Sequence, residues 1–154
     1  MTRRQRTPPP GFRYILPPVS QGYFTMSSAT ATTGRTNYAT AVQTGKHRLT
    51  ADEPPERGGQ DAGPTPSDLL ISALASCTAI TLRMYAERKS WTIEAIHVAV
   101  TFTRVADKTM SIERVLTFDG ALSDEQKARL ADIAERTPVT LALKNGVAIQ
   151  TRLG

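Results

Sequence analysis

The longest apolar stretch of the chain runs from Leu69 to Ala86 and predicts a buried helix. Nearly every residue in it is apolar or small, and it contains neither glycine nor proline. The start of this helix is marked by a hydroxyl that can cap it, Thr65, and by a proline at the first helical position, Pro66. An acid follows three residues after the cap, at Asp68. We expect this helix to be covered on most of its faces. It is too short and too often interrupted by polar residues to predict a membrane span.

Segments on both sides of this helix have the composition and alternation of strands. The stretch after Met26 is rich in Thr, Val and Tyr, is interrupted at Gly34 and Gly45, and predicts two or three antiparallel strands. Beyond the helix, alternating residues predict a strand pair with a turn at residues 106–108. The inward positions of this pair are predicted at Ile96, Val98, Val100, Phe102, Ile112, Val115 and Phe118.

The last third of the chain predicts a second helix and a closing strand. Ser123 to Gln126 form a capping box, and the helix is expected to end at Thr137 because Pro138 disfavours helix in the residue before it. Asn145 and Gly146 then form a turn before a last strand, VAIQTRL. The order strands, helix, strands, helix, strand predicts one α+β domain over residues 26–154.

Residues 1–25 differ from this domain in composition. They contain five of the ten prolines and four arginines without an acid, which predicts a disordered extension, and Met26 is an alternative start. They supply +4 of the formal net charge of +5, so the domain itself is almost neutral. We therefore expect no nucleic acid partner for the folded part. The lack of a secretory signal and the single cysteine predict a cytoplasmic protein.

The sequence has one cysteine, Cys77, in the middle of the long helix. One thiol cannot form an intramolecular disulfide, so its redox chemistry must involve water, a small thiol or another chain. A lone cysteine among Ala, Leu and Ile is also typical of a small core residue. His47 and His97 have no further ligand at a suitable spacing, so we expect no metal site, and we expect no cofactor.

Three segments resemble the osmotically inducible protein C and organic hydroperoxide resistance (OsmC/Ohr) family. They are the helix entry GPTPSDLL, the step Ala75-Ser76-Cys77-Thr78 and the closing GVAIQTRL, and the similarity extends from Ser27 to Leu153. The resemblance implies antiparallel sheets wrapped around a long central helix, within an intertwined homodimer. It also implies thiol peroxidase sites at the subunit interface. There, a helix cysteine attacks the hydroperoxide, an arginine and a glutamate hold its thiolate, and a second cysteine resolves the sulfenic acid.

Only some of these functional residues are present in the chain. Cys77 matches the attacking cysteine, and Arg35 matches the arginine. Ser67 replaces the glutamate and Thr137 replaces the resolving cysteine, while Glu56 in the loop before the helix is a further candidate for lining the site. The resemblance therefore implies a one-cysteine peroxidase with an organic hydroperoxide as substrate and an external thiol as reductant.

The alternative is a protein of the same fold without enzymatic activity. Such a dimer would bind a small apolar ligand in the interface pocket, and Cys77 would only line that pocket. The two hypotheses differ in the state of the thiol, because the enzyme needs Cys77 reactive and accessible whereas the binding protein tolerates it protonated and buried. Neither hypothesis includes a membrane partner.

Overall fold

The structure is a computed structural model that describes residues 27–104 and 109–154. The predictions for residues 1–25, for Met26 as a start and for the turn at 106–108 lie outside these residues. In chain order the elements are β1 (Ala29–Thr33), β2 (Thr40–Thr44), β3 (His47–Ala51), a 3-10 turn (Pro55–Arg57), α1 (Pro66–Arg88), β4 (Ala95–Arg104), β5 (Met110–Asp119), α2 (Asp124–Ala134) and α3 (Pro138–Asn145).

The strands form two antiparallel sheets. One has the order β1-β2-β3, and the other is the pair β4-β5, in register from Ala95 opposite Asp119 to Arg104 opposite Met110. With α1 between the two sheets along the chain, this arrangement confirms the predicted α+β class.

The start of α1 has the predicted capping box. The Thr65 hydroxyl accepts a hydrogen bond from the Asp68 backbone N–H at 3.1 Å, and the Asp68 carboxylate accepts one from the Thr65 backbone N–H at 2.9 Å. Two orphan N–H groups of the first turn are thereby satisfied. The helix continues without a break for 23 residues.

Only one stripe of α1 is buried within the chain. Its buried residues are spaced four apart and are Leu74, Thr78, Leu82 and Ala86. Leu70, Ile80 and Met84 are 39–60% exposed, so the expectation of burial on most faces is wrong for a single chain. By length and hydropathy alone α1 could cross a membrane, but a helix in the core of a soluble protein passes the same test, so this is weak evidence.

The hydrophobic core lies where the second half of α1 meets β4, β5 and α2. Its buried residues are Leu82, Ala86, Ile93, Leu122, Leu130 and Ala134. Tyr85 and Trp91 pack edge to face beside it, with ring centroids 5.7 Å apart. None of these residues comes from the β1-β2-β3 sheet, which therefore stands apart from the core.

The inward residues of β4 are as predicted, but one of those of β5 is not. Ile96, Val98, Val100 and Phe102 are all half-buried. On β5, Val115 is 51% exposed, and Arg114 takes the inward position. The reason is the two-residue period of a strand, which puts Ile112 and Phe118 on one face and position 115 on the other.

The C-terminal part also differs from the prediction. The second helix ends at Ala134, and Thr137 caps a third helix, α3, which begins at Pro138. Proline is well suited to the first position of a helix, so Pro138 begins a helix as well as ending the one before. The predicted strand VAIQTRL is not formed in residues 146–154, where Val147 and Ile149 are exposed. A strand needs a neighbour for its backbone groups, and no strand within residues 27–104 and 109–145 pairs with this segment.

The loop between β3 and α1 is organised by a buried carboxylate. Asp52 is 2% exposed and accepts hydrogen bonds from the backbone N–H groups of Glu53, Gln60 and Ala62 at 2.9–3.1 Å. Burial acts to raise the pKa of Asp52, but the three amide donors outweigh it and the net pKa is lowered. The ionised carboxylate thus holds the loop in a fixed path to the start of α1.

We predict that Gly63→Ala destabilises the protein by about 1–3 kcal/mol, because overpacking forces the backbone to move. A Cβ at Gly63 would lie 2.0 Å from the Thr50 carbonyl oxygen. Gly34→Ala is the control, because a Cβ there meets no atom within 4 Å. The free energies of unfolding are measured by urea denaturation. Equal values for the two variants would show that the loop is not held as described.

Candidate functional site

Cys77 lies in the middle of α1, next to its buried stripe. The thiol is free and half-buried. Successive helical residues are rotated by about 100°, so Cys77 points in nearly the same direction as Leu70 and Met84, about 60° from buried Leu74 on one side and about 60° from exposed Ile80 on the other. The sulfur therefore lies at the border between the buried stripe and the exposed side of α1.

The residue after Cys77 binds the inward-facing arginine of β5. Arg114 donates from Nη1 to the hydroxyls of Thr78 and Thr140, at 3.0 and 2.9 Å, and from Nη2 to Glu135 Oε1 at 2.9 Å. Its side chain is only 10% exposed. A buried guanidinium has to be paired and hydrogen-bonded to offset its loss of water. These contacts connect β5 to α1, to α3 and to the segment between α2 and α3.

Thr137, which the sequence resemblance places at the position of the resolving cysteine, is buried in the same network. The Thr140 hydroxyl donates to the Ala134 carbonyl oxygen at 3.1 Å, so it accepts from the Thr137 hydroxyl at 2.7 Å. The Thr137 oxygen in turn accepts from the Thr140 backbone N–H as the cap of α3. Both hydroxyls thus donate and accept hydrogen bonds within the network, and neither has redox chemistry.

Glu135 is the anionic partner in this network. It pairs with Lys144 as well as with Arg114. The hydrogen bond from Lys144 lowers the pKa of Glu135 most, burial opposes it, and the hydrogen bond from Arg114 adds to the lowering. Glu135 is therefore a carboxylate between two cations, at the surface end of the Arg114 network.

The other predicted site residues lie before α1 or in its first turn, away from the Arg114 network. Arg35 is exposed in the β1-β2 hairpin, Ser67 is exposed in the first turn of α1, and Glu56 is exposed in the 3-10 turn. A cavity of about 410 Å³ is lined by Thr33 and Tyr38 of the hairpin region and by Pro66 and Leu69 of α1, among others. The chain thus brings the hairpin of Arg35 to the start of α1.

These residues do not reach Cys77 within one chain. Ser67 and Cys77 are ten residues apart on one helix, which corresponds to about 15 Å along its axis. Of the predicted site residues, only Thr137 is connected to the neighbourhood of Cys77, through Thr140, Arg114 and Thr78. No hydrogen bond or ion pair joins Arg35 to Cys77 among the described residues.

Sequence reasoning missed Arg114, Glu135 and Thr140. The available signal was at position 114, two residues from both Ile112 and Leu116 on the inward face of β5. A charged residue on an apolar strand face predicts a buried ion pair or a functional group. The hydroxyl of Thr140 gave no comparable signal.

A family model described as OsmC-like protein matches residues 58–152. The chain belongs to this family. The match includes Ser67, Cys77 and Thr137, and it confirms the resemblance noted from the sequence. Arg35 and Glu56 lie before the matched residues. No curated protein matches the chain.

Solved structures of OsmC/Ohr proteins have the same fold. A proposed osmotic stress induced and detoxification response protein of Psychrobacter arcticus 273-4 is 24% identical, with a TM-score of 0.66 over 80% of this chain and 90% of its own. The organic hydroperoxide resistance protein OsmC of Legionella pneumophila is 23% identical, with a TM-score of 0.60 over 82% and 94%. The organic hydroperoxide resistance protein OhrB of Bacillus subtilis is 23% identical, with a TM-score of 0.56 over 80% and 93%. These likenesses establish the OsmC-like fold.

We predict that Thr140→Val destabilises the protein by about 1–3 kcal/mol, because it leaves a buried guanidinium N–H and the Ala134 carbonyl without a partner. Valine has nearly the shape of threonine, so the loss reports the hydroxyl. Thr101→Val, on the exposed face of β4, is the matched control and should change stability little. Urea denaturation measures both variants, and equal stability would mean that the Arg114 network contributes nothing to the fold.

Proposed function

We propose that this protein is a one-cysteine peroxidase that reduces organic hydroperoxides and acts in the response to oxidative stress. The observation that supports it most is Cys77 itself, the lone thiol of an OsmC-family chain, at the edge of the core on the long helix. The organic hydroperoxide resistance proteins with the same fold point to the substrate class.

The reaction is balanced without a second cysteine. The Cys77 thiolate attacks one oxygen of the hydroperoxide, the O–O bond breaks, and the other oxygen leaves as an alcohol after taking up a proton. Cys77 is then a sulfenic acid. An external thiol attacks its sulfur, releases water and forms a mixed disulfide, and a second thiol frees Cys77 and leaves as the oxidised disulfide.

The need for an external thiol follows from the residue at position 137, which is a threonine. A hydroxyl cannot form a disulfide, and the Thr137 hydroxyl is already bonded to Thr140. Reducing equivalents must therefore come from outside the chain, which suits a reducing compartment such as the cytoplasm.

Activation of the thiol needs a nearby positive charge. A free thiol ionises near pH ~8.5, and Cys77 is about three turns from the start of α1, where the helix dipole contributes little. Arg35 is the candidate, but its hairpin lies beside Pro66 and Leu69. Leu69 is about 12 Å from Cys77 along the helix axis. We therefore propose that Arg35 reaches Cys77 from the partner chain of a homodimer.

The surfaces left open by one chain support such a dimer. Ile80 and Met84 are 60% and 49% exposed on α1, and the β1-β2-β3 sheet contributes no residue to the main hydrophobic cluster. The segment 146–154 carries exposed apolar residues and pairs with no strand of the described part of the chain. A second copy would cover these faces and satisfy these backbone groups at the same time.

Activity in trans can be tested with mixed dimers of Cys77→Ser and Arg35→Ala. Each variant alone should be inactive, and a refolded equimolar mixture should recover about a quarter of the normal rate, because half of the random dimers are mixed and each has one complete site. Arg48→Ala, which alters a strand residue of the same sheet, should be nearly as active as the unaltered chain. Sedimentation confirms that dimers are present. An inactive mixture that contains mixed dimers would contradict the shared site.

The single-cysteine cycle predicts a long-lived sulfenic acid. With cumene hydroperoxide and no added thiol, Cys77 should accumulate as a species that dimedone traps, and excess peroxide should convert it to the sulfinic acid. Mass spectrometry of the intact chain follows both products. Cys77→Ser should give neither product.

Thr137→Cys should divert the sulfenic acid into an intrachain disulfide, if the two positions lie within bridging distance. Thr101→Cys is the control, because it places a thiol on the outer face of β4. If Cys77 reacts with the hydroperoxide no faster than free cysteine at the same pH, the peroxidase proposal is wrong. The dimer that binds an apolar ligand then becomes the better account.

A further inference from the structure

A groove of about 580 Å³ lies between the first half of α1, the β4-β5 sheet and α3. This volume is typical of a site for a small ligand. Its apolar wall consists of Leu70, Leu74, Phe102, Met110, Ile112 and Leu143. Its polar wall consists of Arg114, Glu135, Thr140 and Lys144, which hydrogen bonds join into one patch.

Arg114 has donors to spare in this groove. A guanidinium has five N–H groups, and Arg114 uses three of them, two on Nη1 and one on Nη2. Nε–H and the second Nη2–H have no acceptor among the described residues. In that part of the chain no fully buried side-chain nitrogen lacks a partner, so Nε is accessible, and Arg114 is one of the residues that line the groove.

The charge of the polar wall favours an anion. Arg114 and Lys144 are both cationic, and Glu135 is the single carboxylate between them. Arg114 is largely shielded from water, which strengthens its attraction for a further acceptor. The planar edge of a guanidinium fits a carboxylate especially well.

We propose that this groove binds a carboxylate with an unbranched apolar tail. The carboxylate takes the free N–H groups of Arg114 and the charge of Lys144, and the tail lies against Leu70, Leu74 and Phe102. This site uses no redox chemistry and does not depend on the reactivity of Cys77. A ligand of this kind explains why a largely buried cation, Arg114, lies beside the apolar wall of the groove.

The probes are decanoate and decanol, which have the same tail and differ in the head group. Each is titrated into the full-length protein at neutral pH, below the concentration at which it forms micelles, and binding is followed by calorimetry. Decanoate should bind at least about tenfold more tightly, the value expected for hydrogen bonds to a charged group. Equal affinities, or no binding of decanoate, would overturn the proposal. Equally tight binding of inorganic phosphate would also overturn it, because the tail would then contribute nothing.

Glu135→Gln separates a binding role of this patch from a purely structural one. It removes the carboxylate that competes for Arg114 and Lys144, so decanoate should bind several-fold more tightly while decanol is unaffected. Glu113→Gln makes the same change in charge on the outward face of β5 and should alter neither affinity. Lys144→Gln should weaken decanoate binding alone. If Glu135→Gln behaves like Glu113→Gln, or weakens both ligands, the carboxylate site is wrong.

Discussion

The structure depends on the burial of one guanidinium, that of Arg114. A charge with a side chain 10% exposed is costly unless its donors are used, and the chain supplies Thr78, Thr140 and Glu135 for them. Each acceptor comes from a different part of the fold, so satisfying one side chain fixes β5 against α1 and α3. The inward position of Arg114 thereby sets where the second half of the chain packs against the helix that carries Cys77.

Features with a local cause could be predicted from the sequence. The capping boxes at Thr65 and Ser123 are formed by residues three apart, and both are present as predicted. The predictions that were wrong depend on contacts distant in sequence. The closing strand needs a neighbour that one chain lacks, and the burial of α1 was overestimated because its apolar faces exceed what one chain covers.

The predictions for the candidate site also divide into those with a local cause in the sequence and those that depend on contacts between distant residues. The helix that carries Cys77 could be predicted from the apolar pattern, whereas a role for Thr137 could be suggested only through the resemblance to a known family. Arg114 and Thr140 are 26 residues apart in sequence, and only the folded chain shows that Arg114 binds both Thr140 and Thr78, the residue beside Cys77. The sequence shows which side chains can bind or react, but it does not show which of them are in contact in the folded chain.

The resemblance to the family places Thr137 where a second cysteine would stand. The Thr137 hydroxyl is held by Thr140 at the start of α3, within a buried polar network. Because the sequence has a single cysteine, Cys77 has no partner for an intrachain disulfide. Any redox chemistry of this thiol therefore requires a molecule from outside the chain.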